Sequence, residues 1–562
     1  MKNTARKTLA LALAIVLCLS LVPMAASAEE QTPFNVVSIG DSTLNGYTLD
    51  DYGKFSDAKW APLGNSYFRH WGGFLDYASK SSAPYLMRDY LQTLMPDREV
   101  TITNLALEGQ RTDEVRKLLD PSFEADDFDP WHIARYNDVF NQSKPHLREL
   151  YPDIDFDNYT INDFYYDNVK NADLIIFDCC SNNFGTFISG KLQDALAGKQ
   201  INVYSPADVV GRLSPEIREA AQKISETVTE TLSAVLPAGI VTDLASTFAY
   251  AFCDMCANYT WDIQKFYEIN PDVKIIAVAP MSIMDGLVAK FSGIEIDLGN
   301  IWATMIDLAN TYITTFDPNN TKVLYAELPE GVECFATAFA RGELTWYFRQ
   351  IVMENFYGTL GYTAADCDKF VEANNALAAQ SKLPEAERDQ AVIAANEAIL
   401  APWDSVFELF IKCAGVNVLD FDLAFNVIET SGLEPGTKAI VRDALEQGLT
   451  FEQLDDGQKT MLHVYARFIV DGIGTHPSKQ GAAQKFKAIK NAYDKGITAV
   501  DCAGDVITTA GLRASVGIIN TLKAPIVDAI SKVFSIIDLS DFFNAIFEQL
   551  SQFLLTLMPW AR

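Results

Sequence analysis

The chain has 562 residues, with 74 acidic side chains against 44 Lys and Arg, a formal charge of −30, and 49% hydrophobic residues. So negative a protein repels phosphate backbones and anionic lipid, which argues against a nucleic-acid partner, while its apolar content is too high for a disordered polyanion. The length exceeds what one ordinary core organises and predicts either several domains or one large decorated domain.

Lys2, Arg6 and Lys7 precede an apolar run from Leu9 to Val22, followed by Ala26-Ser27-Ala28. Basic end, apolar run and small-x-small site, in that order, predict a signal peptide over 1–28 cleaved before Glu29, and hence a secreted protein. The run is shorter than the roughly 20 apolar residues that span a bilayer. Of nine cysteines, Cys18 would leave with the leader, and the remaining eight are too sparse to define a disulfide framework. Cys253-Asp254-Met255-Cys256 has metal or redox spacing, but no second such pair or nearby His completes a zinc site. A buried helical pair or a local bridge is the expectation there, and no metal or cofactor is predicted.

Five short β-branched runs follow one another along the chain: Asn35 to Gly40, Glu99 to Leu105, Asp173 to Cys179, Val273 to Ala279 and Lys322 to Glu327. Helical periodicity lies between them. This alternation predicts an α/β fold with a five-stranded parallel sheet covered on both faces, and places ligands at the carboxyl ends of the strands. Two helical stretches, at about 187–265 and 331–462, read as insertions into the framework. The first contains Ser214-Pro215, an N-cap followed by proline at the first helical position, and the second contains the alanine-rich run Pro384 to Leu400. The predicted layout is therefore a framework over 29–496 and a C-terminal helical segment over 497–562. In that segment Phe543, Ile546, Phe547, Leu550, Leu554 and Leu557 share one stripe, which either packs on the body or forms a lipid-facing or partner surface.

The first run leads straight into Gly40-Asp41-Ser42-Thr43. A serine at the carboxyl end of a parallel strand can face a crevice and present its backbone N–H to a developing oxyanion, although Asp41 and Ser42 could equally cap the next turn. The second run ends near Gly109, which either serves a turn or lets the backbone approach a substrate closely. The third ends in Cys179-Cys180-Ser181-Asn182-Asn183, where the Asn182 amide either closes a loop or donates to an oxyanion. Buried thiols at Cys179 and Cys180, without a cationic neighbour, are expected to be structural. Among five histidines, at 70, 132, 146, 463 and 476, His476 lies in Asp471-Gly472-Ile473-Gly474-Thr475-His476-Pro477-Ser478.

These blocks, in this order, resemble the SGNH (GDSL) hydrolase superfamily, whose name letters fall on Ser42, Gly109, Asn182 and His476. The resemblance covers about 34–186, 266–328 and 464–495. It implies a flavodoxin-like three-layer fold, Ser42 as nucleophile, His476 as general base, and an oxyanion hole from the N–H groups of Ser42 and Gly109 with the Asn182 amide. The pattern departs from the family in three places. Asp471 stands five residues before His476, with Ile473 three before it, so either Asp471 on a longer loop or a backbone carbonyl orients the imidazole. The third block has Cys180-Ser181-Asn182-Asn183 for the usual Gly-x-Asn-Asp, and Thr43 replaces the usual leucine.

The implied activity is ester hydrolysis through an acyl-enzyme on Ser42. The substrate is a small-molecule or lipid ester or an acylated glycan, which leaves open a carbohydrate O-acetylesterase. Aromatic residues after Ser42, among them Tyr47, Tyr52, Trp60 and Trp71, could line an acyl pocket, stack on sugars, or form a satellite core. A non-catalytic cell-surface binding module on the same framework is the other reading, and peripheral membrane contact through the C-terminal helices belongs to it equally. Amino-terminal sequencing of the exported protein should begin near Glu29. Recovery of Met1 in a membrane fraction would contradict the leader.

Overall fold

The computed structural model describes residues 32–47, 49, 78–107, 109–123, 130–178, 180–184, 214–233, 238–281, 288–291, 294–329, 332–334, 362–414 and 476–504, with single positions between them at 338, 346, 347, 349, 350, 353, 354, 357 and 453. The leader, Asp471, Cys179, most of the aromatic stretch after Tyr47 and the apolar C-terminal stripe lie outside the described residues.

In chain order, β1 (Phe34–Gly40) runs into the one-turn helix α1 (Ser42–Asn45), followed by α2 (Ala83–Leu94) and β2 (Val100–Asn104). Then come α3 (Thr112–Leu119), α4 (Pro130–Leu150), α5 (Ile161–Lys170) and β3 (Leu174–Asp178). Helices α6 (Pro215–Leu232) and α7 (Ala238–Ile269) lead to β4 (Lys274–Val278), a hairpin of β5 (Val288–Phe291) and β6 (Ile294–Asp297), α8 (Leu298–Thr311) and β7 (Leu324–Ala326). The chain continues through α9 (Ala364–Ser381), α10 (Gln390–Ala414) and α11 (Lys479–Lys495).

Five strands form one parallel sheet in the order β2-β1-β3-β4-β7. This is a doubly wound α/β order, in which the strand sequence reverses beside β1 and opens a crevice between the carboxyl ends of β1 and β3. Apart from the half-exposed β2 edge, the strands are largely buried, with helices on both faces of the sheet. Val37, Ile39, Ile175, Phe177, Ile275, Ala277 and Tyr325 join the core under α3, α5, α7 and α8. Their alternates Val36, Leu174, Ile176, Ile276, Val278 and Ala326 join Met87 and Leu91 of α2 and Ile489 and Ala492 of α11. The period of two along each strand assigns each residue to one layer.

Ser214 stands at the N-cap position of α6, with Pro215 as the first helical residue. The stretch that reads as a first insertion is more closely joined to the sheet than that word implies, since α7 lies on it. Phe177 of β3 stacks on Tyr259 with ring centroids 5.6 Å apart and meets Phe266 edge-on at 5.3 Å. The end of α7 is thus the covering helix between β3 and β4. In the second stretch, α9 and α10 pack on each other around the buried Trp403, which sits 5.8 Å from Phe370 and 5.9 Å from Tyr362. The alanine-rich run enters its helix only at Gln390, after a 3-10 turn over Glu385–Glu387. Beyond α11, the chain covers the β7 edge: Thr498 bridges Leu324 in antiparallel sense, and the Ala499 N–H donates to the Val323 carbonyl at 3.0 Å. An edge so paired is closed to further strand addition.

The β5–β6 hairpin is absent from the expectations above, although Ser292-Gly293 between two short alternating runs is a hairpin signal. Cys253 and Cys256 are buried free thiols on α7, so of the two expectations for that motif the helical pair is the one observed. Among the described residues, no helix is long and apolar enough to cross a membrane.

Gly40 packs so closely on β3 that a Cβ there would lie 2.4 Å from the Asp178 carbonyl oxygen and 2.9 Å from Leu44. Gly40→Ala should therefore cost about 1–3 kcal/mol, as overpacking does. A Cβ at Gly239 on α7 meets nothing within 4 Å, and Gly239→Ala should shift stability by less than ~1 kcal/mol. Equal urea midpoints for the two variants would contradict this packing.

Candidate active site

Ser42 is placed by the end of the β1–β3 ladder. Gly40 is in register with Asp178, and the next N–H, that of Asp41, donates to the Asp178 carbonyl at 3.2 Å. Asp41 then turns the chain: with extended backbone it caps α1, its Oδ1 accepting from the Thr43 N–H at 2.8 Å and the Thr43 hydroxyl at 2.7 Å. Gly46 ends the same turn in the left-handed region at φ 76°, its N–H donating to the Ser42 carbonyl. A side chain at Gly46 would also meet the Ser79 Cβ at 2.7 Å. Ser42 is thus the first residue of a single helical turn at the mouth of the crevice, where the backbone N–H groups have no intrahelical acceptor.

His476 arrives from the far end of the chain, immediately before α11. Its Nε2 lies 2.7 Å from the Ser42 Oγ, a hydrogen bond in which the hydroxyl donates when Nε2 carries no proton. The imidazole packs against the Tyr47 ring at a centroid distance of 4.7 Å, tilted by 52°. Downstream, Ser478 caps α11 by accepting from the Gly481 N–H at 3.2 Å.

A second set of residues, from 333 to 354, grips this turn. The Tyr347 hydroxyl donates to the His476 carbonyl at 3.2 Å, and the Ser478 N–H donates to the Glu333 carbonyl at 3.0 Å. The Lys479 N–H donates to Glu354 Oε2 at 2.9 Å, while Gln350 Nε2 donates to Glu354 Oε1 at 3.0 Å. A Cβ on Gly481 would sit 2.5 Å from the Glu333 carbonyl oxygen. Burial pushes the Glu354 carboxyl up to about 7, against the pull of the Lys479 N–H and Gln350.

The turns that carry Asn182 and Gly109 follow β3 and β2, the two strands on either side of β1. Asn182, in the turn after β3, donates from Nδ2 to Asp41 Oδ2 at 2.7 Å. Its neighbour Asn183 accepts from the Thr112 N–H at 3.1 Å, tying this turn to the start of α3. On the other side, pairing between β1 and the chain after β2 continues: Leu105 N–H donates to the Ser38 carbonyl at 2.8 Å and Leu107 N–H to the Gly40 carbonyl at 2.9 Å. The Gln110 N–H then closes back on Leu107 at 3.1 Å, with Gly109 in the left-handed region at φ 72°. A residue with a Cβ is strained in that conformation.

Ser42 and His476 are therefore in hydrogen-bond contact, and Asn182 reaches the same turn through Asp41. Asp471, the expected orienting carboxylate, lies outside the described residues. Cys180 is buried, its thiol pushed well up by burial and by the carboxylates of Asp178 and Asp262.

Missing from the sequence expectations is a charged layer directly beneath Ser42. Lys485 of α11, fully buried, forms an ion pair with Asp178 and donates to the Thr43 Oγ1 at 2.7 Å. Burial, helped by the Asp178 charge, pushes the Asp41 carboxyl up to about 7, while Lys485 and Thr43 pull it down. A signal for Lys485 existed: it lies on the helical stripe Ala482, Lys485, Ile489, Ala492, where a lysine interrupts an otherwise apolar face.

No protein-family model matches the chain, and no curated protein matches its sequence.

Glu354 gives a test of the grip on the histidine turn. Its proton leaves near 4.5 in the unfolded chain and near 7 in the folded one. Between those values the folded state binds more protons, so this group makes stability fall as pH rises. Glu354→Gln should abolish that decline, which is on the order of 3 kcal/mol across the window. Urea midpoints of both proteins from pH 4 to 8 check it, and parallel curves would exclude Glu354 as the source.

Proposed function

We propose that this protein is a secreted serine hydrolase of the SGNH type, acting on carboxylic esters of a lipid, an acylated glycan or a small molecule. The observation that carries the reading is the 2.7 Å contact between Ser42 Oγ and His476 Nε2 at the carboxyl ends of a parallel sheet. In this reading His476 takes the Ser42 proton as Oγ attacks the acyl carbon, then gives it to the departing alcohol. Water, activated by the same imidazole, releases the acyl group and restores the serine. The N–H groups of Ser42 and Gly109 and the Asn182 amide are assigned to the oxyanion, each well-aimed donor being worth about 3 kcal/mol. The residue family pattern supports the same assignment. The fold alone does not, since doubly wound sheets host many chemistries.

The test is covalent labelling of Ser42 with a fluorophosphonate, followed by turnover of chromogenic esters of increasing acyl length. Ser42→Ala and His476→Ala should each remove nearly all activity, and the double variant should be little worse, because the two act as a unit. Asp471→Asn should cost at least about a hundredfold if that carboxylate fixes the imidazole tautomer. Activity within severalfold of wild type would assign the task to another group. An unlabelled Ser42 together with full activity in Ser42→Ala would overturn the hydrolase reading, and an unlabelled, inactive wild type would favour a binding module.

A further inference from the structure

We propose that Lys485 is a positioning residue of this site: through Thr43 and Asp178 it sustains the anionic Asp41 that aims the Asn182 amide at the oxyanion. The inference rests on the serine-hydrolase reading and extends it to a side chain more than 400 positions from the nucleophile.

The geometry forms one chain of contacts. Asp41 and Asp178 are both essentially inaccessible to water and are brought together by the β1–β3 register. Two carboxylates in such a place do not both ionise without a cation beside them. Lys485 supplies it, with one ammonium hydrogen on Asp178 Oδ2 and another on Thr43 Oγ1. A hydroxyl has a single hydrogen, and that of Thr43 points to Asp41 Oδ1 at 2.7 Å, the Asp178 oxygen being farther away at 3.4 Å. Thr43 therefore relays the positive charge of Lys485 toward Asp41. The other Asp41 oxygen takes the Asn182 Nδ2 hydrogen.

Why the ionisation of Asp41 matters follows from the amide. An ionised carboxylate only accepts, so the Asn182 atom facing it must be nitrogen. Protonated on Oδ2, Asp41 would donate instead, and the amide would turn its carbonyl oxygen inward. That flip swings the Nδ2 hydrogens away from the side on which they serve. Ser42 and His476 would remain in contact while the oxyanion lost a donor. Among the described residues, the titratable groups that interact with Asp41 are Asp178 at the end of β3, Cys180 just beyond it and Lys485 on α11, while His476 bonds to the neighbouring Ser42. The Cys180 thiol stays neutral because burial holds it protonated.

An alternative role for Lys485 is only to neutralise Asp178 and stabilise the fold. Three variants separate the two. Lys485→Met removes the charge, Thr43→Val cuts the relay while leaving the Lys485–Asp178 pair, and Lys485→Met/Asp178→Asn removes the cation together with the competing carboxylate. Two readouts are taken on each: the pH titration of the Asp41 carboxyl carbon by NMR, identified by its loss in Asp41→Asn, and the pH dependence of kcat and KM on a chromogenic ester. The Asp41 titration and the acid limb of kcat should both move up by about one pH unit or more in Lys485→Met and return toward wild type in the double variant. Thr43→Val should lower kcat at neutral pH at least about tenfold, with KM changed far less, as expected for a transition-state donor. Should Lys485→Met not fold, Thr43→Val and the double variant still decide. An unmoved Asp41 titration, or variants that lose thermal stability but keep the wild-type pH profile, would overturn the proposal. A moved Asp41 titration in a protein that neither labels at Ser42 nor hydrolyses esters would instead remove the hydrolase reading and, with it, the catalytic meaning of Lys485.

Discussion

The site depends on how closely β1 lies against β3. The two strands run parallel in a register that sets Gly40 opposite Asp178, and only a residue without a Cβ fits there. That approach lets the Asp41 N–H reach the Asp178 carbonyl as the last rung of the ladder, and the chain turns immediately afterwards. Asp41, Ser42, Asp178 and Asn182 all take their positions from this one junction. Because side chains alternate along a strand, a slip of one residue would send Val37 and Ile39 to the wrong layer, so two buried faces hold the register as well. The hydrophobic core and the polar site are in this sense one constraint.

Much of this was legible in the sequence because the strands are buried on both faces and read as unbroken β-branched runs. The run at Asp173 to Cys179 contains the observed Leu174–Asp178, and that at Val273 to Ala279 contains Lys274–Val278. The last strand is shorter than its run, because the turn before it consumes Lys322 and the Val323 that follows it. Ser42, Gly109, Asn182 and His476 could be picked out since each sits in a short local block. Lys485 could not be paired in the same way. Its partners Asp178 and Thr43 lie 307 and 442 residues away, and no local spacing records such a contact. The departure at Thr43, a threonine where the resembled family has leucine, is the residue that accepts the Lys485 hydrogen bond.

The helical stretches are also less separate from the framework than their position in the chain suggests. Residues from the second, Glu333, Tyr347 and Glu354, hold the turn that carries His476, using backbone groups that would otherwise be unsatisfied at the start of α11. This half of the site is therefore gripped by a long excursion of the chain, whereas the serine half is built from the first strand and its neighbours.

The Ser42–His476 hydrogen bond joins positions 434 residues apart. During synthesis, β1 to β4 can pair while the histidine, α11 and the edge strand β7 with its cover are still unmade. At about 5–20 residues per second, the roughly 200 residues between the end of β4 and Lys485 add on the order of 10 to 40 seconds. Throughout that interval Asp41 and Asp178 face each other without Lys485, so the nascent sheet carries an uncompensated pair of acids at its open end. Docking of α11 brings His476 and the neutralising charge on the same segment, and the Ser42–His476 hydrogen bond forms only once that helix is in place.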